Sequence, residues 1–263
     1  MKSIFLALVL VFSTESLFAK TLIVSDVDDT IKMTNVLGNK ATLIYNGLIR
    51  KEAFSGMSEL YNELAKEEGA VFHYVSGSPK VIRFRVKNFL EKNEFPQSDN
   101  LTLKAKFKTS IIDYKVETIR ALIVKENPDK IILIGDDTEY DPEIYETIQK
   151  ENTETVQSIY IRSVQGRELP NLSMVKGFIS APEIAAHEMT KGNLDAKALS
   201  NVANGFIYKT YKSGLFLSES FCPVEGSEEI DKLETEISDS EAQFILGQVQ
   251  KKIKNSCIIR AAN

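Results

Sequence analysis

The sequence predicts an α/β fold with a parallel sheet, and three apolar runs are the basis for this prediction. Residues 21–25, 70–75 and 130–135 have the composition of buried strands, and each run ends abruptly on polar residues. A helical pattern of apolar residues follows the second and the third run. Strands that alternate with helices form parallel sheets, whose ligands bind at the carboxyl ends of the strands. The polar residues at the ends of the three runs are therefore expected to line one crevice.

The first run ends on three carboxylates and a hydroxyl, in the order Asp26, Val27, Asp28, Asp29 and Thr30. Acids this close repel one another, and a divalent cation or a transferable proton relieves that repulsion. Because side chains alternate along an extended backbone, Asp26 and Asp28 can point at one target. One of the two carboxylates could attack a substrate while the other transfers protons. The alternative is a polar turn after a buried strand, since Asp and Thr are common turn residues.

The second and third runs end on residues that suit a phosphoryl group and a cation. Residues 76–79 are Ser-Gly-Ser-Pro, and a hydroxyl with N–H groups at a strand-to-helix junction suits a phosphoryl oxygen. The alternative is a serine N-cap with proline in the first turn. The third run leads into the acids Asp136 and Asp141. Lys115, on a helix predicted between the second and third strands, would be the one cation near this crevice, or else an ordinary solvated lysine.

In this order the motifs resemble those of haloacid dehalogenase (HAD) type phosphatases. Three segments are more closely similar to the catalytic domain of the actin-patch phosphatidate phosphatase family, namely SDVDDTIK at 25–32, FHYVSGSP at 72–79 and LIGDDTEYDPEIY at 133–145. The resemblance is good over residues 21–165 and loose after that. It implies a HAD-like Rossmannoid three-layer sandwich with a parallel sheet and a small cap insertion. Two positions depart from the family pattern, Gly77 and Asp137, and Asp137 is expected to add negative charge beside the metal.

The resemblance also implies roles for the acids and their partners. Asp26 would be the nucleophile that forms an aspartyl-phosphate, and Asp28 would protonate the leaving group and then activate water. Ser76 and Lys115 would bind phosphoryl oxygens. A Mg²⁺ ion would be held by Asp26, the backbone carbonyl of Asp28 and Asp136, with Asp141 acting through a water molecule. Thr30 would brace the loop of the nucleophile, and Asp29 would either support the site residues through hydrogen bonds or be structural.

Length and composition fit one catalytic domain over residues 20–263. The chain has 263 residues, of which 43% are hydrophobic, and its formal charge of −5 argues against a nucleic-acid partner. Residues 31–56 could form the cap, and the alternative is that their apolar side chains only pack on the core. Residues 166–263 are predicted to be a C-terminal extension that either packs on the core or follows it. Neither His73 nor His187 is assigned to a metal.

Residues 1–19 have the layout of a secretory signal peptide, with Lys2 before nine apolar residues. This predicts a periplasmic or secreted protein. Leu17 stands where a small residue would favour cleavage after Ala19, so an uncleaved tether is the alternative. Export would place the two cysteines, Cys222 and Cys257, where disulfides persist, whereas a cytosolic protein would keep them as buried thiols.

Two classes of function stay open at this point. The first is a Mg²⁺-dependent phosphomonoester hydrolase, which the full set of catalytic side chains favours. The second is a non-catalytic domain that binds phosphate esters or metal. Within the enzyme class, the resemblance implies phosphatidate, a phospholipid reached through peripheral membrane contact, and a soluble small phosphomonoester is the alternative. The sequence does not determine an oligomeric state.

Overall fold

Six parallel strands form the central sheet of the computed structural model, which describes residues 19–34, 52–105, 109–213 and 236–261. The strands lie side by side in the order β3-β2-β1-β4-β5-β6, and each neighbouring pair is parallel. This order is doubly wound, and the predicted α/β class with a parallel sheet is confirmed. In chain order the strands are β1 (Thr21–Ser25), β2 (Val71–Pro79), β3 (Leu101–Lys104), β4 (Lys130–Asp136), β5 (Val156–Arg162) and β6 (Val175–Phe178).

Helices cover both faces of the sheet, which gives three layers. Leu22 and Val24 of β1 pack with two helices on one face, and Ile23 between them packs with helices on the other, as the alternation of a strand requires. The first face carries α3 and α4, and the second carries α1, α2, α5, α6 and α7. Their bounds are α1 (Met57–Leu64), α2 (Arg83–Lys92), α3 (Ile111–Glu126), α4 (Asp141–Glu151), α5 (Ala181–Thr190), α6 (Ala196–Ser213) and α7 (Ser240–Ala261).

The segment after the second apolar run differs from the prediction. Strand β2 does not end at Val75, because a shift of register lets Pro79 pair with Lys104 of β3. A short 3₁₀ turn (Lys80–Ile82) then precedes α2. A 3₁₀-helix has about three residues per turn, whereas an α-helix has about 3.6, so the 3₁₀ turn changes which side chains face the core. Val86, Phe89 and Leu90 are buried as the helical pattern suggests, whereas Val81 and Phe84 are exposed.

The C-terminal part of the described chain completes the core. Strand β6 is the sixth strand, and α5 follows it through a capping box in which Ser180 and Glu183 bond to each other's backbone N–H groups. Helices α6 and α7 pack against α5 and against each other. Within the part of the chain that the structure describes, no helix is both long and apolar enough to cross a bilayer.

Several sequence-based predictions fall outside the described residues. Nearly all of the predicted signal peptide lies in 1–18, and most of the predicted cap lies in 35–51. Cys222 and the side chain of Cys257 are also outside the described part, so the pairing of the two cysteines stays a prediction.

Two glycines with similar backbone angles provide a test of the packing of α1 against α6. Gly56 has φ +82°, and a Cβ there would lie 3.1 Å from Ala181 Cβ and 3.2 Å from Phe206 Cβ. Gly192 has φ +76° with open space around it. We expect Gly192→Ala to lower the free energy of unfolding by about 1–2 kcal/mol, the cost of the left-handed conformation alone. Gly56→Ala should cost about 1–3 kcal/mol more, since it also overpacks the core.

Urea denaturation of the two variants measures this difference. Equal losses for the two variants would contradict the tight contact at Gly56.

Candidate active site

Three carboxylates, two at the ends of adjacent strands and one at the start of a helix, meet at the carboxyl edge of the sheet. Asp26 directly follows β1, Asp136 is the last residue of β4, and Asp141 is the first residue of α4. The Asp26 amide N–H donates to the Ile134 carbonyl at 2.9 Å, which fixes the end of β1 against β4. One oxygen from each of the three carboxylates lies within 4.8 Å of the others, and all three side chains are buried. We call Asp26, Asp136 and Asp141 the acidic triad.

Lys115 reaches the acidic triad from the first turns of α3. Its Nζ donates to Asp26 Oδ1 at 2.7 Å and to Asp141 Oδ1 at 2.5 Å, and it is 2% exposed. Burial alone would lower the pKa of this ammonium, but Asp141 and Asp26 hold the pKa well above its usual value. Lys115 is therefore a permanent cation in the crevice rather than a solvated lysine.

One ammonium does not balance three buried carboxylates. Burial raises the pKa of Asp26 well above its usual range, although Lys115 opposes the shift. Burial, together with the charge of Asp141, raises the pKa of Asp136 to about 7. Each upward pKa shift means that it costs free energy to ionise this carboxyl group in its buried position beside the other acids. An all-oxygen set of this kind fits a hard divalent cation such as Mg²⁺, which would remove that cost.

Thr30 and Gly135 hold the acidic triad in place. The Thr30 hydroxyl lies between two acids, 2.9 Å from Asp136 Oδ2 and 3.3 Å from Asp26 Oδ2. A Cβ on Gly135 would lie only 2.5 Å from Asp141 Oδ2, so the close approach of Asp141 to β4 requires glycine. The sequence predicts the bracing role of Thr30 but not this requirement at Gly135.

Asp28 lies beside the acidic triad in a separate set of hydroxyl groups. Its Oδ2 accepts from Ser78 Oγ at 2.8 Å and from Ser76 Oγ at 3.2 Å, and its Oδ1 accepts from Thr34 Oγ1 at 2.8 Å. The carboxylate is half-buried. Ser76 thus contacts Asp28 in this structure, and the predicted phosphoryl-binding role of Ser76 and the proposed metal bond of the Asp28 carbonyl stay predictions.

Sequence reasoning did not identify Ser78 and Thr34 as neighbours of Asp28. For Ser78 a signal exists, because two serines two residues apart on an extended segment can share a face. A tight turn at Asp29 brings Thr34 close to Asp28. Asp29 has φ 56°, and its Oδ1 accepts a hydrogen bond from the Thr34 amide at 2.8 Å. Asp tolerates this left-handed conformation better than most residues do.

Asp137 does not add its carboxylate to the metal site, contrary to the expectation from sequence. Its Oδ1 accepts from the amides of Val164 at 2.7 Å and Gln165 at 2.8 Å, and its Oδ2 accepts from the amide of Arg167 at 3.0 Å. Asp137 therefore anchors the loop after β5. The side chains of Asp136 and Asp137 point apart because neighbouring residues of an extended chain alternate.

Two further charged residues near the crevice have no clear signal in the sequence. Arg162, at the end of β5, is buried with its guanidinium 3.9 Å from the Phe54 ring centroid, and it donates to the Thr30 carbonyl at 2.9 Å. Burial lowers its pKa to about 10. Glu139 lies at the mouth, with Oε2 3.7 Å from the position of a Cβ on Gly77, and burial raises its pKa.

The two histidines have partners other than a metal. His73 Nε2 lies 3.2 Å from Glu126 Oε1, and His187 Nδ1 lies 2.7 Å from the Tyr160 hydroxyl. Both contacts are ordinary side-chain hydrogen bonds within the fold.

The order of these groups around the sheet defines a class of protein. Two acids follow the central strand β1, two serines lie in the last part of β2, and a lysine lies on α3. Of the two acids at β4, one ends the strand and the other begins α4. This is the arrangement of the HAD-like fold. The model of the family described as "Phosphatidate phosphatase APP1, catalytic domain" matches residues 21–163, more than half of the chain. The chain belongs to this family.

A curated relative and two solved structures are also similar to this chain. Phosphatidate phosphatase APP1 of Saccharomyces cerevisiae is 32% identical over 151 residues, which cover 53% of this chain and 25% of the yeast protein. The chain thus matches about a quarter of that relative's length. A tungstate-bound class C acid phosphatase from Bacillus anthracis has a TM-score of 0.37 and 17% identity over 72% of this chain and 79% of the other. A second structure of that phosphatase has a TM-score of 0.36, with 17% identity over 70% and 78% of the two chains.

Thermal unfolding with and without Mg²⁺ tests the acidic triad as a cation site. A ligand that binds only the folded state stabilises it by about 2.7 kcal/mol at 100 times its Kd. We expect Mg²⁺ to raise the Tm of the wild type and Asp136→Asn to abolish most of that increase. The matched control is Asp137→Asn, which should lower the Tm by loosening the loop after β5 but keep the increase with Mg²⁺. An undiminished increase in Asp136→Asn would rule out the acidic triad as the site.

Proposed function

We propose that this protein is a Mg²⁺-dependent phosphomonoester hydrolase that converts phosphatidate to diacylglycerol through an aspartyl-phosphate. The observation that supports this most directly is the pairing of a buried carboxylate, Asp26, with a permanent cation, Lys115, next to a second acid that three hydroxyls hold in place. Membership of the phosphatidate phosphatase catalytic-domain family supports the reaction class and the lipid substrate.

Asp26 is the proposed nucleophile. Its Oδ1 is held by Lys115 and its Oδ2 by Thr30, so the carboxylate has one fixed orientation at the end of β1. An Asp26 oxygen forms a bond to phosphorus while the bond from phosphorus to the ester oxygen breaks. The Lys115 ammonium offsets negative charge on the phosphoryl oxygens during this step.

Asp28 is the proposed proton carrier. It gives a proton to the departing ester oxygen, which leaves as the alcohol of diacylglycerol. It then takes a proton from the water that attacks the phosphorus, and the bond between Asp26 and the phosphoryl group breaks to release inorganic phosphate. The hydroxyls of Ser76, Ser78 and Thr34 hold Asp28 in one orientation for both transfers.

Asp26, Asp136 and Asp141 would hold the divalent cation, with Asp136 further oriented by the Thr138 amide at 2.8 Å. When bound, the cation supplies positive charge that lets an anionic carboxylate approach an anionic phosphate ester. Export to the periplasm or beyond is part of the proposal, and the charged, then apolar, layout of residues 1–19 supports it.

Phosphate release from a panel of substrates tests the proposal. The panel contains phosphatidate in mixed micelles, glycerol 3-phosphate, a sugar phosphate and a nucleotide, each with Mg²⁺ and with a chelator. We expect the highest kcat/KM on phosphatidate and no release with the chelator. A higher kcat/KM on a soluble ester would contradict phosphatidate as the substrate and support a soluble phosphomonoester. No phosphate release from any ester would favour a non-catalytic binding domain.

Substitution of the two acids after β1 separates their roles. Asp26→Asn should abolish turnover, because an amide oxygen is a poor nucleophile, and its circular dichroism spectrum should stay that of the wild type. Asp28→Asn should lower kcat about 10²- to 10⁴-fold, the usual contribution of general acid–base catalysis. Single-turnover assays with ³²P-labelled substrate measure both effects. Near-native turnover in Asp26→Asn would contradict the covalent mechanism.

A further inference from the structure

Exposed apolar side chains are concentrated around the mouth of the catalytic crevice. Seven large apolar residues are exposed among the residues that the structure describes, and four of them lie in segments that leave the carboxyl edge of the sheet. These four are Val81 (84% exposed), Phe84 (79%), Tyr140 (47%) and Ile112 (37%). We call them the apolar rim.

The apolar rim lies close to the reacting groups. Val81 is three residues after Ser78, whose hydroxyl contacts Asp28, and three residues of chain span at most about 11 Å. Ile112 adjoins Ile111, whose Cγ2 lies 3.6 Å from the position of a Cβ on Gly77. Tyr140 adjoins Glu139, whose Oε2 lies 3.7 Å from the same position. The apolar rim therefore borders the opening through which a substrate must enter.

Positive charge accompanies Val81 and Phe84 of the apolar rim, whereas Ile112 and Tyr140 stand next to the acids Asp113 and Glu139 in the sequence. Residues 80–92 contain five basic residues and one acid, a formal charge of +4 in a chain whose total is −5. Lys87 pairs with Asp99 and Glu91, and Arg83 donates to backbone carbonyls, so part of this charge is used within the fold. Lys80 is exposed beside Val81 and Phe84.

A cavity of about 460 Å³ adjoins this basic segment. Among the described residues, Lys80, Arg83 and Lys104 line it, together with one acid, Glu117. Exposed apolar side chains flanked by cations are the features with which proteins bind anionic membrane surfaces, because the apolar groups enter the acyl boundary and the cations meet the headgroups.

We propose that the apolar rim docks the protein on an anionic phospholipid surface with the catalytic crevice facing the membrane. This inference rests on the proposed lipid substrate and adds how the enzyme would reach it. A phosphatidate molecule needs to rise only partly from the bilayer to place its phosphate at Asp26, since the surrounding apolar side chains replace some of the contacts that its acyl chains lose. Lys80 and the net positive charge of residues 80–92 attract the surface and orient the crevice toward it.

Co-sedimentation with vesicles tests the docking surface without any turnover. The vesicles are phosphatidylcholine with and without phosphatidylserine, and neither kind contains phosphatidate. We expect the full-length wild type to bind the anionic vesicles and the double variant Val81→Ser, Phe84→Ser to bind at least about tenfold more weakly, given the usual free energy of burying two such side chains. Binding should also weaken as salt is raised. The matched control is Val124→Ser, which removes an 83% exposed valine from the last turn of α3, away from the crevice.

Equal binding by the double variant and the wild type would overturn the proposal, and so would equal loss in Val124→Ser. Because all three proteins carry the same residues 1–19, a difference between them reports on the apolar rim alone. Kinetics give the second readout. The double variant should raise KM for vesicle-embedded phosphatidate and leave hydrolysis of glycerol 3-phosphate unchanged, whereas equal loss on both substrates would overturn the docking role.

The two proposals can fail separately. If the wild type binds anionic vesicles through the apolar rim but hydrolyses no phosphomonoester, the docking surface stands and the proposed reaction is wrong. If it hydrolyses phosphatidate and the apolar rim variant binds vesicles as well as the wild type does, the reaction stands and the docking surface is wrong.

Discussion

The site depends on the ion pairs between Lys115 and the acidic triad, in which one buried ammonium only partly offsets three buried carboxylates. Asp26, Asp136 and Asp141 are buried at one point of the sheet edge, and Lys115 contacts two of them. Removing one partner of a buried ion pair typically costs about 3–5 kcal/mol, because the other charge is left without compensation. The remaining negative charge is what makes the crevice suited to a divalent cation and then to a phosphoryl group.

The doubly wound sheet is what brings these four groups together. Strand β1 lies between β2 and β4, so the residues after β1 meet the ends of both neighbours. Helix α3 crosses the face of the sheet toward β4 and delivers Lys115, 89 residues from Asp26 in sequence. Asp141 can approach only because Gly135 has no side chain. The reversal of strand order beside β1 thus creates the crevice that the charges occupy.

Outside the acidic triad, the site is shaped by hydroxyls, a buried arginine and an exposed apolar border. Ser76, Ser78 and Thr34 give Asp28 a setting unlike that of Asp26, so two neighbouring acids can differ in chemistry. Arg162 ties the carbonyl of Thr30 to the end of β5. The same edge of the sheet that orders these polar groups also presents Val81 and Phe84 to solvent, so catalysis and access to a lipid surface would share one set of loops.

The sequence by itself determined three of the six strands, namely β1, β4 and the first part of β2, together with the acids at the strand ends and the order of the motifs, because apolar runs, helical spacing and short motifs are local properties. It also pointed to Asp26, Asp136, Asp141 and Lys115 as neighbours, since parallel strands end at a common edge. Only the tertiary structure decided that Asp137 turns to the loop after β5, and that Arg162 contacts Thr30 across 132 residues. It also decided that the register shift in β2 and the turn after it expose Val81 and Phe84. These features depend on register and on contacts between distant segments, which no local pattern encodes.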